Sequence, residues 1–444
     1  MSEAPTSSTV STKLEQIATR AREAPSMVFT NLAYHINLDL LHEAYQQTRK
    51  SGAPGVDGQT AAEYEADLEG NLRRLWQRMK DGSYVAPPVR RVYIPKGEGK
   101  TRPIGIPTFE DKVAQRAVAM VLEAIFEQDF LDCSFGFRPH RSAHDALQSF
   151  RDQAMAMKGG WVVEVDVEDF FGTIDHAHLR EFLDRRVRDK GIRRLIGKWL
   201  NAGVLEGTQL SRSESGTPQG GVISPILANL YLHWVLDRWF YEMAVPVMDG
   251  PVHLVRYADD FIILCREGRD ARRLELVLPK RFAKFGLRIH AEKSRLVDFR
   301  RPRRRGRRDD SGKPETFDFL GFTHYWGISR NGNWVICLKT ASSRLRRSLK
   351  AVEEWCRRYR HLPLPVQHQI LSLKLEGHFR YFGVTGNGRW LSEFRYQVVG
   401  IWRRWLNRTS QKAGKTWNWM YAYLRRHPLP EVKVYRSVMS AANP

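Results

Sequence analysis

The chain has 444 residues, 42% of them hydrophobic, and carries 71 Lys and Arg against 49 Asp and Glu, for a net charge of +22 and an isoelectric point near 10.0. That length supports several domains with large cores, and the cationic excess is beyond what solubility needs, so it points to a polyanionic partner. Four scattered cysteines with no CxxC pair exclude a zinc finger or a disulfide framework and fit a reducing compartment, while no apolar run reaches membrane-spanning length and the N-terminus lacks a secretory pattern.

In chain order, residues 1–29 read as a flexible tail. From Leu38 to Met79 the pattern is helical, broken by the turn-rich stretch Ser51–Gly58. Residues 89–107 alternate as a strand hairpin whose tip, Lys96-Gly97-Glu98-Gly99-Lys100, is loaded with cations. Thr108 with Asp111 predicts a capped helix through Glu127, and Ser142 with Asp145 predicts a second. Residues 161–167 predict a buried strand that delivers Asp166 at its end. Asp175 caps a helix to Arg188, and Ser224 is read as an N-cap ahead of Pro225. The run from Arg300 to Arg308 holds seven arginines with no apolar face, either a solvated linker or a phosphate contact. Beyond Ser342 the chain is helical, basic and rich in tryptophan.

Asp259 and Asp260 are the most telling pair. Both flanks, Leu254–Tyr257 and Phe261–Leu264, are apolar and strand-forming, which predicts two buried strands folded at Ala258-Asp259-Asp260. Two carboxylates about 4 Å apart repel by roughly 4 kcal/mol at an effective dielectric near 20. A divalent cation converts that repulsion into affinity. A solvated Asp-Asp turn accounts for the segment equally well when it is taken alone. With Asp166 added, the three acids make a holder for two metal ions of the kind that clamp attacking and leaving oxygens in phosphoryl transfer.

Three segments bring those acids into one pattern: VDVEDFFGTIDH (residues 165–176), GTPQGGVISPILANLYL (216–232) and RYADDFIIL (256–264). PGVDG (54–58), RRVYIPKGEGKTRPIGIP (90–107), CSFGFRPHRSAHDAL (133–147), LRIHAEKSRL (287–296) and FDFLGF (317–322) accompany them in order. The chain resembles the reverse transcriptases encoded in bacterial group II introns, from about residue 30 to its C-terminus.

The resemblance implies an α+β right-hand polymerase: N-terminal extension and fingers over 30–160, and a palm with an antiparallel sheet over 161–325, with 176–215 returning to the fingers. A helical thumb and maturase region follows over 326–444, with no HNH endonuclease domain. It implies Asp166, Asp259 and Asp260 as catalytic ligands of two Mg²⁺ ions. Lys96 and Arg102 are implied as a triphosphate clamp, with Gln219 and Gly220 lining the nucleotide. Phe171 is implied as a gate against a 2′-hydroxyl; a core phenylalanine is the other reading. Lys293 is implied as the proton donor to pyrophosphate, with a plain surface lysine as the alternative. Phe319, Leu320 and Gly321 would grip the primer, and Arg303, Arg304, Arg305, Arg380, Trp402, Arg403 and Arg404 would contact RNA. Gly172 departs from the family's usual Asp or Ser, with altered capping or nucleotide fit expected.

The implied activity is RNA-templated DNA synthesis from a primer 3′-hydroxyl with dNTPs, joined to a maturase role on the parent intron RNA. Partners are then intron RNA, a template–primer duplex, dNTPs and target DNA, with no membrane, in a cytoplasmic, nucleoid-associated bacterial protein. Alternatives are a splicing-only RNA-binding protein and a host-adopted enzyme of repair or defence.

Overall fold

A computed structural model describes residues 7–97, 100–207, 209–211, 216, 220–302, 314–329, 331–408 and 414–437. The fold mixes α and β and divides into two units, residues 1–146 with 163–296 and residues 147–162 with 297–444.

The first unit begins with α1 (Ser7–Glu23), α2 (Leu38–Gln47), α3 (Ala61–Glu65) and α4 (Leu68–Asp81). The hairpin β1 (Val89–Gly97) and β2 (Lys100–Ile106) leads to α5 (Phe109–Phe126). Thr108 caps α5 by accepting from the Asp111 N–H, as its position predicted. Within the stretch read as a flexible tail, residues 7–23 form α1. Val10, Ile17, Ala18 and Ala21 are buried along one side of α1, so an amphipathic face anchors it.

Next in the chain come α6 (Ala143–Ala156), most of which belongs to the second unit, then β3 (Trp161–Val165), β4 (Val167–Glu168), α7 (Phe170–Thr173), α8 (His176–Asp184) and α9 (Lys190–Leu200). Ser142 and Asp145 form a reciprocal box at the start of α6. Asp175 caps α8 through the Ala177 and His178 N–H groups, but the helix stops at Asp184, short of Arg188.

The unit continues with β5 (Val204–Glu206), β6 (Gln209–Ser211), α10 (Ser224–Leu232), β7 (Val252–Tyr257), β8 (Asp260–Cys265), α11 (Gly268–Ala283), β9 (Arg288–Ile289) and β10 (Arg295–Asp298). Ser224 is the first residue of α10 and not its cap; Ile223 precedes it and makes no side-chain cap bond. One sheet has the order β2-β1-β5-β6, a second β10-β3-β8-β7, and β4 pairs with β9 as a short ribbon.

In the second unit, β11 (Phe317–Phe319), β12 (Phe322–Ile328) and β13 (Trp334–Thr340) form an antiparallel sheet. The helices α12 (Ser342–Tyr359), α13 (Leu364–Phe382), α14 (Gly388–Leu406) and α15 (Trp417–Arg426) follow. β11 and β12 fall in the same unit as the C-terminal helices. Asn387 ties the two layers of this unit together: it accepts from the Thr340 N–H at 2.9 Å and donates to Thr340 Oγ1 and to the Phe382 carbonyl. Trp402 belongs to this helical core. It is fully buried and its indole N–H donates to Gln367 Oε1 at 2.9 Å. A ring with no exposed face cannot stack on a base, so Trp402 is a packing residue and not an RNA contact. No helix among the described residues is long and apolar enough to cross a membrane.

Candidate active site

Asp259 and Asp260 sit where the sequence put them, at the bend between β7 and β8. Tyr257 and Asp260 are register partners, so Ala258 and Asp259 make a two-residue turn, with Ala258 at φ +58°. Asp259 is half-buried and Asp260 exposed.

The turn is held from beneath by Arg256, whose side chain is completely buried. All five of its N–H donors are used. Nε donates to Asp237 Oδ1 at 2.8 Å, and one Nη2 hydrogen to Asp237 Oδ2 at 2.5 Å. The other Nη2 hydrogen goes to Ser134 Oγ at 2.7 Å, while Nη1 donates to Asn229 Oδ1 at 3.0 Å and to the Ala258 carbonyl at 3.1 Å. Burial works against the guanidinium charge, but Asp237 outweighs it and holds the Arg256 pKa above its ordinary value.

Backbone contacts complete the brace. Phe135 N–H donates to the Arg256 carbonyl and Arg256 N–H to the Cys133 carbonyl, both at 2.8 Å. Asn229 donates to the Gly136 carbonyl at 2.8 Å. A Cβ at Gly136 would stand 2.3 Å from the Ala258 nitrogen, so only glycine lets this turn lie against the carboxylate turn.

Asp166 follows β3, the strand hydrogen-bonded beside β8. Its N–H donates to Ser294 Oγ at 3.2 Å, and its carbonyl accepts from the His290 N–H at 2.8 Å. Lys293 Nζ lies 2.8 Å from Asp166 Oδ2, with both side chains about half exposed. Lysine and carboxylate thus share one corner, although 127 residues separate them. Among the described residues, no three His, Cys, Asp or Glu side chains gather closely enough to form a ready-made metal cluster. The donor chemistry itself is oxygen only, which suits a hard divalent cation that keeps waters and takes phosphate oxygens.

Phe171 lies five residues past Asp166 in α7 and is only 8% exposed, packed edge-on against Phe170 at 5.3 Å. Beside it, a Cβ at Gly172 would meet Asp169 Oδ2 at 2.2 Å, so the glycine makes room for that carboxylate. The Gly216 N–H donates to the Ile174 carbonyl at 2.7 Å, and its carbonyl lies 2.6 Å from His176 Nε2. Gly220 has φ +115°, and a Cβ there would come within 2.5 Å of the Gly105 carbonyl of β2. Arg102 is exposed on β2. The side chain of Lys96, and Gln219, Arg303, Arg304 and Arg305, lie outside the described residues.

A family model described as reverse transcriptase (RNA-dependent DNA polymerase) matches residues 94–324, just over half the chain, and includes every carboxylate above. The chain belongs to the reverse transcriptase family. It is 40% identical over 232 residues to the group II intron-encoded protein LtrA of Lactococcus lactis, covering 52% of this chain and 38% of LtrA. It is 35% identical over 289 residues to protein YkfC of Escherichia coli, 58% of this chain and 76% of that one. A 91 kDa protein in the cob intron of Schizosaccharomyces pombe is 34% identical over 231 residues, 51% of this chain and 28% of that protein. The chain therefore spans well under half the length of LtrA and of the S. pombe protein. Reverse transcriptases use divalent metal ions, in keeping with the oxygen donors at this site.

In the second unit, the β11–β12 turn of this reverse transcriptase is tight. Phe319 pairs with Phe322, and both central residues have positive φ, Leu320 at +49° and Gly321 at +83°. The Leu320 carbonyl accepts from Tyr381 Oη at 2.8 Å. Arg380 and Arg404 are exposed, each beside a glutamate, Glu376 at 4.0 Å and Glu353 at 2.6 Å. Arg403 is half-buried, with its guanidinium 4.4 Å from the Trp417 ring centre.

Reading the residues for chemistry missed the Arg256–Asp237–Asn229–Ser134 cluster. All but Asp237 lie inside the segments that carried the resemblance. The available signal was a charged residue in the middle of an apolar strand, which demands a buried partner.

Proposed function

We propose that this protein is the reverse transcriptase and maturase of a group II intron. It would extend a primer 3′-hydroxyl with dNTPs on an RNA template and bind its parent intron RNA during splicing and retrohoming. The observation that carries this reading is the Asp259–Asp260 turn, braced by a fully buried Arg256 beside the strand that leads to Asp166, inside the family-matched segment.

In this reading the chain is a right hand, with fingers over 30–160, palm over 161–325 and thumb over 326–444. Asp166, Asp259 and Asp260 hold two Mg²⁺ ions. The bound ions would supply charge neutralisation at the triphosphate and a lowered pKa at the 3′-hydroxyl. Lys96 and Arg102 bind the triphosphate, Arg through its bidentate fork. Gln219 and Gly220 border the nucleotide, where Gly220 keeps the backbone close. The edge of Phe171 excludes a 2′-hydroxyl. Lys293, already beside Asp166, gives a proton to the departing pyrophosphate. The strained Leu320-Gly321 tip with Phe319 grips the primer, a use to which stored backbone strain is suited. Arg303, Arg304, Arg305, Arg380, Arg403 and Arg404 hold RNA phosphates.

The test is primer extension on a primed RNA with Mg²⁺ and dNTPs, run beside a splicing assay on the cognate intron. The wild type should make cDNA. Asp259→Ala should make none, yet should still bind and splice the intron, because the RNA does the splicing chemistry. No cDNA from the wild type would overturn the polymerase reading, and loss of splicing with Asp259→Ala would contradict separate sites.

A further inference from the structure

After α10 the backbone leaves regular helix twice, in π-helical segments at His233–Asp237 and Phe240–Ala244. Such turns sacrifice hydrogen-bond geometry and occur frequently at functional sites. Here the wider turn is braced by Arg281 of α11. Its Nε donates to the Val235 carbonyl at 2.8 Å and its Nη2 to the Trp234 carbonyl at 3.0 Å, two acceptors inside the first π segment.

The surface so presented sets the half-buried rings of Trp234 and Trp239 beside guanidinium planes, over the buried rings of Phe182 and Phe285. Arg185, the residue that ends α8 as its C-cap, lies 4.1 Å from the Trp234 ring centre, and Arg238 lies 4.8 Å from the same ring. Arg281 lies 4.5 Å from the Phe285 ring and 5.6 Å from Trp239. Phe182 stacks on Trp234 at 6.4 Å. A hollow of about 390 Å³ opens between these groups, and Met243, 65% exposed, lies at its edge.

The charge of this face has a sign. Among the residues lining the hollow, Arg185, Arg238, Arg281 and Lys284 stand against two acids, Glu181 and Glu242, and Asp129 lies within electrostatic reach of Arg238. The two glutamates hold the two outer guanidiniums: Glu181 accepts from Arg185 at 3.1 Å and Glu242 from Arg238 Nε at 2.6 Å. Each takes part of a five-donor fork, so further N–H groups can meet phosphate. Unpaired RNA supplies both things this face can hold: phosphates for the forks and flat bases for the guanidinium planes and rings. An acidic polypeptide would meet the charge but brings no flat bases to stack. None of these residues has a part in the polymerase site described above.

We propose that this face, built on two π-helical turns, is a second RNA-binding surface that takes an unpaired stretch of a long structured RNA. The inference rests on the RNA-binding reading above and adds a location to it.

The experiment uses the full chain and the double variant Arg185→Ala/Arg238→Ala, which leaves the Arg281 brace intact. Filter binding to an intron-length structured RNA is measured across a salt series, with primer extension on a short template–primer in parallel. The double variant should bind the long RNA at least about tenfold more weakly. Its log K against log salt slope should be shallower by about 1.4, the value for two lost phosphate contacts to single-stranded RNA. Extension of the short duplex should be unchanged, which also shows that the variant is folded. Arg185→Lys/Arg238→Lys keeps the charges without the planes, and should keep the salt slope while losing severalfold in affinity. Wild-type affinity and slope in the alanine variant would overturn the proposal. So would competition by polyglutamate as effective as that by oligouridylate of equal charge. If the wild type neither extends a primer nor binds RNA, the parent reading fails, and that outcome is distinct from failure of this one.

Discussion

Arg256→Met is the substitution with the most closely worked consequence. Arg256 and Asp237 are both completely buried, and the guanidinium satisfies two Asp237 oxygens, Asn229 Oδ1, Ser134 Oγ and the Ala258 carbonyl. Methionine fills much of the volume but leaves a buried carboxylate uncompensated, a loss of about 3–5 kcal/mol. Against a whole-domain stability of about 5–15 kcal/mol, that is a large share. It also frees the Ala258 carbonyl, so the turn carrying Asp259 and Asp260 loses its anchor and DNA synthesis should fall with stability. The assay is urea unfolding followed by tryptophan fluorescence, paired with primer extension below the transition. Arg256→Met/Asp237→Leu removes both charges and should recover at least about half of the lost stability, because a well-packed apolar pair replaces a buried ion pair at little cost. It should not recover activity, since the Ala258 carbonyl is still unheld. A single variant within about 1 kcal/mol of wild type, or a double variant no more stable than the single, would refute the reasoning.

Asp111 gives a pH signature. Burial pushes its carboxyl up to about 7, against opposing hydrogen bonds from Trp199 and Gln115. A folded pKa above the unfolded one means the folded state holds a proton that the unfolded chain has released. Stability from this group is therefore greatest below about pH 4 and declines as pH rises towards 7. Asp111→Asn should flatten that part of the stability profile, and an unchanged slope in denaturant midpoints against pH would count against it. At the β11–β12 tip, Leu320→Asn suits the left-handed backbone and should raise stability by about 0.5–1 kcal/mol while weakening primer extension, measured by thermal melts and by KM for primer. Equal extension by both proteins would remove Leu320 from the primer grip. Phe171→Val should raise rNTP use relative to dNTP by about tenfold or more in kcat/KM, and unchanged sugar selectivity would return Phe171 to a pure core role.

Much of the local architecture was legible because it is written in neighbouring residues. The helix starts at Thr108, Ser142 and Asp175 depend on side chains reaching N–H groups two or three positions on, and the β7–β8 bend depends on two apolar runs around Ala258-Asp259-Asp260. The errors have equally physical causes. The first residues looked polar as a composition, yet Val10, Ile17 and Ala21 recur at helical spacing and find a surface to cover. Trp402 lies among arginines and looked like a base-stacking ring, but helical periodicity turns it inward with Leu391, Phe394 and Val398 while Arg404 stays outside.

By itself, the order of residues determined that two acids stand at a strand bend, that a third ends another strand, and that the chain carries a large cationic excess. Those are short-range or additive properties, and they survive without knowledge of contacts. Only the tertiary structure decided what holds the acids in position. The partners of Arg256 come from 122, 27 and 19 residues away, Lys293 reaches Asp166 across 127, and Arg281 braces a π-helical turn 46 residues before it. No local pattern encodes such pairings, because a buried charge chooses its partner only once the surrounding chain has excluded water from both.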